Sequence, residues 1–249
     1  MRKIALITGA SSGIGEATAR KLASSGWDLI LAARRYEHLQ KLAAQLECEW
    51  HLIRLDVRQR SAVEDAMANL PEQWKNIELL VNNAGLSRQL TKLHEGDPEA
   101  WDEMIDTNVK GLLYVSRAVI PGMVARGRGH VINVGSIAGH EVYPNGNVYC
   151  ASKFAVDALT KGMMMDLVDT QVRVSTVDPG LVETEFSKVR FYGDKERADK
   201  VYQGLKPLTG DDVAETIEWI ASRPDHIQIA QVVIFPMSQA GATVVHRKQ

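Results

Sequence analysis

The sequence has only two cysteines, Cys48 and Cys150, in 249 residues. They lie far apart and match no metal-ligand spacing. They are also too few for a secreted disulfide framework, so a reducing, cytoplasmic setting is expected. No run of about 18 apolar residues occurs, which argues against a membrane-spanning helix. Neither sign of charge dominates: 29 Lys and Arg face 31 Asp and Glu, a net charge of -2. No basic field therefore points to nucleic acid or an anionic membrane. Trp27, Trp50, Trp74, Trp101 and Trp219 fall at expected strand and helix borders, not in a base-stacking platform. The seven histidines are scattered and form no ligand set, so no metal is expected. The opening Met1-Arg2-Lys3, then Ile4-Ala5-Leu6-Ile7, is too short in apolar residues for a secretion signal. Repeats, low-complexity tracts and Pro/Gly/Ser linkers are missing too, so residues 1–249 are expected to form one domain.

What is present is alternation. Short apolar runs at Ile4 to Thr8, Asp28 to Ala33, His51 to Leu55 and Ile77 to Val81 predict four buried strands. Between them, helices are predicted over Ile14 to Ser25, Tyr36 to Leu46 and Ser61 to Leu70, with Ser61 as a cap and Pro71 as a stop. The second half repeats the pattern. Pro98 opens a long fourth helix on which Trp101, Met104, Ile105, Asn108, Leu112, Val115 and Val119 recur at helical spacing. Strands at Gly129 to Val134, Val172 to Val177 and Ile227 to Phe235 are separated by helices at Tyr149 to Val168 and Asp211 to Ser222. Residues 183–208 are charged and less regular, with one helix expected from Lys195 to Gln203, and the tail from Met237 to Gln249 has no period. Strands alternating with helices predict an α/β fold: a doubly wound, Rossmann-type parallel sheet of about seven strands with helices on both faces.

Gly9-Ala10-Ser11-Ser12-Gly13-Ile14-Gly15 joins the first strand to the first helix. Glycines there let a backbone approach a pyrophosphate, and the helix N-terminus favours its charge. The second strand ends Ala32-Ala33-Arg34-Arg35, with no carboxylate to bind a ribose hydroxyl. Two guanidinium groups suit a 2′-phosphate instead, which favours NADP over NAD.

Tyr149 and Lys153 stand four residues apart in an expected helix, hence on one face. A unit charge about 4 Å away at an effective dielectric of about 20 is worth roughly 4 kcal/mol. That would bring a phenol from about 10 to about 7 and let it exchange protons near neutrality. Cys150, one residue on, points elsewhere on the helix and is read as packing, as are Met163, Met164 and Met165.

Together, Thr8 to Gly15, Leu55-Asp56-Val57, Asn82-Asn83-Ala84-Gly85, Asn108, Ser136, Tyr149-x-x-x-Lys153 and Asp178-Pro179-Gly180 resemble the short-chain dehydrogenase/reductase family over almost the whole chain. The resemblance implies a general acid/base at Tyr149 and a ribose-binding, pKa-lowering role for Lys153. It implies a substrate hydrogen bond from Ser136 and an anchored water at Asn108. Cofactor contacts are implied at Gly9, Ser11, Ser12, Gly13, Ile14, Gly15, Asp56, Val57, Asn83, Ala84 and Gly85. On the nicotinamide side they are implied at Pro179, Gly180, Val182 and Thr184. A homotetramer is implied as well. Val189 to Asp194, Pro121 to Val124, Leu70 to Trp74 and His246-Arg247 resemble the NADP-dependent 3-hydroxy acid dehydrogenases, which act on serine, allo-threonine and related acids. Residues 183–208 would then cover a small-molecule substrate, and Arg190 is either a carboxylate clamp or a surface arginine. Arg88, where many relatives have a small uncharged residue, is either a second cation near the pocket or, as the favoured reading, a side chain in solvent. The alternatives are a carbonyl or 3-oxoacyl reductase of the same family, or an NADP-binding regulator without chemistry.

Overall fold

A computed structural model describes residues 3–248. The readings that touch Met1, Arg2 and Gln249 lie outside the described residues. Seven parallel strands form one sheet in the order β3-β2-β1-β4-β5-β6-β7. They are β1 Lys3–Thr8, β2 Trp27–Ala33, β3 Trp50–Arg54, β4 Ile77–Asn82, β5 Gly129–Val134, β6 Val172–Pro179 and β7 Gln231–Ile234.

Side chains of a strand alternate between sheet faces, and both faces are covered here. In β1, Ala5 and Ile7 pack on one side with Leu22, Leu39 and Ile217. These belong to helices α1 Gly13–Ser24 and α2 Tyr36–Ala43 and to a C-terminal helix, Gly210–Ala221. Ile4 and Leu6 pack on the other side with Val63, Val115 and Val119. Those come from α3 Arg60–Ala68 and α5 Leu112–Ala125. The sheet order reverses between β1 and β4, so a crevice opens where their carboxyl ends meet.

Local results differ from the sequence reading, and α2 also stops at Ala43, short of Leu46. First, α3 begins at Arg60, capped by Gln59 without a side-chain bond, so Ser61 is inside the helix and not its cap. Second, the long fourth helix is not continuous: α4 Pro98–Ile105 passes through a π-helical turn, Asp106–Gly111, before α5 begins. Pro98 does sit at the first helical position, with Asp97 accepting from the Glu99 amide. Third, β7 is shorter than Ile227 to Phe235, because it pairs only with Thr176–Pro179 at the sheet edge.

After α6 Asn147–Asp166 and β6, the chain forms α7 Phe186–Arg190 and α8 Lys195–Lys200. The sequence did not indicate α7, and α8 is three residues shorter than expected. The Gly210–Ala221 helix, α9, opens on a reciprocal cap: the Thr209 hydroxyl accepts from the Asp212 amide, and the Asp212 carboxylate accepts from the Thr209 amide. The tail folds back, with a Gln239–Val245 bridge and Arg247 donating to the Gln203 and Val201 carbonyls.

Candidate active site

A cavity of about 560 Å³ lies over the carboxyl ends of the strands. The glycine turn forms one wall. Gly9 has φ +65° and packs against Ala84, and a Cβ on Gly15 would collide with Asn83 and the Gly9 carbonyl. Glycine is needed for conformation at the first position and for close approach at the second. The Thr8 hydroxyl accepts from the Asn83 and Ala84 amides, and Asn83 Nδ2 donates to the Thr8 and Gly9 carbonyls at 2.9 and 3.2 Å. The turn is thereby fixed to the end of β4. With the α1 N-terminus open to the cavity, this surface fits a dinucleotide pyrophosphate.

Arg34 and Arg35 both line the cavity. Their surroundings differ. Arg35 Nη2 donates to the Ser12 hydroxyl at 2.6 Å, and its Nη1 pairs with Glu185 at 2.9 Å across the cleft. Arg34 is half-exposed and has Glu103 only at 3.9 Å, so it retains donors for a 2′-phosphate. Asp56 lines the same end and accepts three bonds from the Arg58 guanidinium. Burial raises its pKa, but those bonds and the Arg58 charge outweigh it and hold the carboxyl below its usual range.

At the other end of the cavity, α6 carries Tyr149 and Lys153, both buried. The Tyr149 phenol hydrogen-bonds Ser136, which caps a short turn after β5 and accepts from the Ala138 amide. Lys153 Nζ donates to the Val134 carbonyl at 2.8 Å. Burial lowers its pKa to about 8, and the Asp178 carboxylate opposes that shift. Asp178 is itself held by Thr176, His140 and Gln231 at 2.7, 2.9 and 2.8 Å. Asn108 sits in the π-helical turn. Its Oδ1 accepts from the Leu86 amide, and its Nδ2 donates to the Leu86 carbonyl and the Ser152 hydroxyl. Asn108 Oδ1 and Lys153 Nζ lie 3.3 and 3.8 Å from where a Cβ on Gly85 would stand, so both border one small space.

One electrostatic expectation is overturned. The Tyr149 pKa is raised, not lowered towards neutrality. Burial is the main cause, and Tyr143 adds to it; the Arg190 charge and the Ser136 bond pull the other way without prevailing. The i, i+4 spacing gave the face but not the desolvation, and Lys153 spends a donor on Val134.

Arg190 is not a surface arginine. Its guanidinium lies 5.3 Å from the Tyr149 ring centroid and 5.1 Å from that of Phe186. Among the described residues, the Tyr143 hydroxyl at 3.4 Å is the only hydrogen-bond partner of its side chain, and its buried Nε has none. Arg88 does not face solvent either. Its side chain is 15% exposed, because Glu103 on α4 takes it in a two-point pair at 2.6 and 3.1 Å. Sequence reading missed Tyr143, Phe186 and Glu103. Glu103 carried no signal of its own, since nothing in the spacing named its partner.

Of the remaining expected contacts, Ser11, Gly13, Ile14, Val57, Pro179, Gly180, Val182 and Thr184 all line the cavity. Residues 3–194 match the family model described as short chain dehydrogenase. The chain belongs to the short-chain dehydrogenase family. This dehydrogenase is 48% identical over 246 residues to the NADP-dependent 3-hydroxy acid dehydrogenase YdfG of Salmonella typhi, covering 98% of this chain and 99% of that one. It is 42% identical over 252 residues to the NADP-dependent 3-hydroxy acid dehydrogenase of Schizosaccharomyces pombe, covering 99% and 97%. A closed form of serine dehydrogenase complexed with NADP+ superposes with a TM-score of 0.94 at 44% identity, covering 99% of this chain and all of that one.

Proposed function

We propose that this dehydrogenase interconverts a 3-hydroxy acid and its 3-oxo acid or semialdehyde with NADP as cofactor. Serine, allo-threonine and 3-hydroxypropionate are the substrate type. The observation that carries this reading is Arg190: a half-buried arginine whose buried Nε has no hydrogen-bond partner among the described residues, with its guanidinium beside the Tyr149 ring. A carboxylate is the ligand that would satisfy it with two parallel bonds. The relatives named for 3-hydroxy acids and serine support the same substrate class.

NADP, when bound, takes the hydride from the alcohol carbon or returns it to the carbonyl. The chain's residues do the rest. The glycine turn and Arg34 bind and orient the dinucleotide. Arg190 anchors the carboxylate so that the 3-hydroxyl falls between Ser136 and Tyr149. In oxidation the Tyr149 phenolate takes the hydroxyl proton; in reduction the phenol gives it back. The Lys153 ammonium, held by the Val134 carbonyl, binds the nicotinamide ribose with its remaining donors. Asn108 fixes the loop at Leu86 and the α6 residue Ser152, and a water beside it would pass the proton outward. Residues 183–208 cover the substrate.

A homotetramer is part of the proposal, supported by apolar side chains left exposed on α5 and α6, namely Leu113, Val124, Phe154 and Met165. So is a cytoplasmic location. No helix among the described residues is long and apolar enough to cross a membrane.

The test is NADP+ reduction across serine, allo-threonine, 3-hydroxypropionate and 3-hydroxyisobutyrate, run beside unsubstituted alcohols and 3-hydroxyacyl thioesters. Turnover confined to the free acids supports the proposal. A preference for thioesters favours an acyl reductase of the same family.

A further inference from the structure

Glu103 is the residue that the sequence reading passed over and the site does not yet explain. It lies on α4, outside the catalytic group, with 21% of its side chain exposed. Three guanidinium groups converge on its carboxylate. Arg88 binds it in two places at 2.6 and 3.1 Å. Arg58 stands 3.8 Å away and Arg34 3.9 Å away. The two distant arginines belong to the nucleotide end of the cavity, where Arg34 faces the 2′-phosphate position and Arg58 holds Asp56.

The near arginine belongs to the other end. Arg88 Nη1 donates to the Val189 carbonyl in α7 at 2.5 Å, and its guanidinium stacks 5.0 Å from the Tyr192 ring centroid. The next residue, Gln89, donates its amide to the Arg190 carbonyl at 3.0 Å. Arg88 and Gln89 therefore hold the backbone carbonyls on either side of the Arg190 α-carbon. That backbone sets Arg190 against Tyr149 and Phe186.

We infer that Glu103 is a positioning residue that links 2′-phosphate binding at Arg34 to the seating of Phe186–Tyr192. The physical reason is competition. One carboxylate is shared among three cations, and a dianionic phosphate on Arg34 removes one claimant. The Glu103 charge then goes more fully to Arg88, which tightens its hold on Val189 and Tyr192. NAD has no 2′-phosphate and leaves Arg34 leaning on Glu103. The cofactor's phosphate thus contributes to ordering the substrate side and not only to cofactor affinity. The inference rests on the NADP reading above, and on the placement of Arg34, but not on which acid is oxidised.

The segment carries its own reporter, because Lys188, Arg190, Lys195 and Arg197 are trypsin sites. The experiment is limited trypsin digestion of the full chain saturated with NADPH or with NADH, with cleavage sites read by mass spectrometry. In the wild type, NADPH should slow cleavage at Lys188 and Arg190 about tenfold more than NADH does, in the range of ordinary site-to-site coupling. In Glu103→Gln, which keeps shape but not charge, the two cofactors should protect equally. Glu103→Asp should recover part of the difference. The NADH arm within each variant controls for general loosening, which would speed cleavage with both cofactors. Equal protection in the wild type, or a NADPH excess that survives Glu103→Gln, overturns the inference. If NADPH protects as stated and no 3-hydroxy acid is turned over, the substrate proposal fails and the role of Glu103 stands.

Discussion

The Arg190 guanidinium lies 5.3 Å from the ring centroid of Tyr149, in the same wall of the cavity. A cation beside a phenol attracts the ring face and favours the phenolate. Arg190 therefore stands ready for two tasks. One is binding an anionic substrate; the other is offsetting the burial that keeps Tyr149 protonated.

Tyr149→Phe removes the acid/base and leaves the glycine turn and Arg34 untouched. Turnover should fall by about 100- to 10,000-fold. NADPH affinity, read by fluorescence titration, should stay within a few-fold of wild type. The pH dependence follows from the raised pKa of Tyr149. Oxidation needs the phenolate, so its rate should rise with pH through the alkaline range. Reduction needs the phenol and should hold flat over the same range. An oxidation rate that is flat from neutrality upward would count against Tyr149 as the base.

Arg34→Leu removes the arginine with donors to spare for a 2′-phosphate. The preference for NADP+ over NAD+, as a ratio of kcat/KM values, should drop by about 10- to 100-fold, the worth of a charge-assisted hydrogen bond or two. An unchanged ratio would move the 2′-phosphate contact to Arg35, despite its pairing with Glu185.

Gly135→Ala would drive a Cβ into the Asp178 carboxylate, which Thr176, His140 and Gln231 hold in place. Overpacking of this kind costs about 1–3 kcal/mol. In a chain of 249 residues the melting temperature should fall by roughly 2–10 °C. Because Asp178 acts electrostatically on Lys153, the pH profile of turnover should shift as well. A melting shift alone would make Asp178 purely structural.

His130 lies buried in β5 with Nε2 on the Ser175 hydroxyl at 2.7 Å and no partner for Nδ1 among the described residues. Burial, and then the Arg173 charge, lower its pKa to about 3. The unfolded chain, with its histidine near 6.5, therefore binds the extra proton between those values. The stabilisation is complete above about pH 6.5 and is lost as the pH falls towards 3. The loss is on the order of 5 kcal/mol over that window. Urea unfolding at pH 7.5 and pH 5 should show the wild type weakening more than His130→Gln. Equal weakening would assign the acid sensitivity to other groups.

The sheet was legible because β1 and β2 are mostly apolar runs between turn residues, and Ile4 to Ile7 is apolar on both faces for a physical reason: helices cover both. The edge strand β7 was less so: Ile227 to Ala230 run beside β6, but there the Val174 amide is taken by the Gln228 side chain and not by a backbone carbonyl. No sequence signal announces the π-helical turn around Asn108, because a shift from i+4 to i+5 bonding leaves the apolar spacing nearly unchanged. The catalytic group was readable from spacing and family resemblance. Its electrostatics were not: burial of Tyr149, the Lys153–Val134 bond and the Arg190 stacking arise from segments far apart in the chain. Arg88 shows the same limit. Its partner lies 15 residues on, and only the fold brings the two together.

The most direct test compares 3-hydroxypropionate with 1-propanol, which differ by the carboxylate, as substrates for NADP+ reduction by the wild type and Arg190→Met. The account predicts a strong wild-type preference for the acid, which the variant loses by about 100-fold through KM, with kcat/KM for the alcohol changed little. A variant that loses activity on both substrates equally, or keeps its preference for the acid, would contradict it.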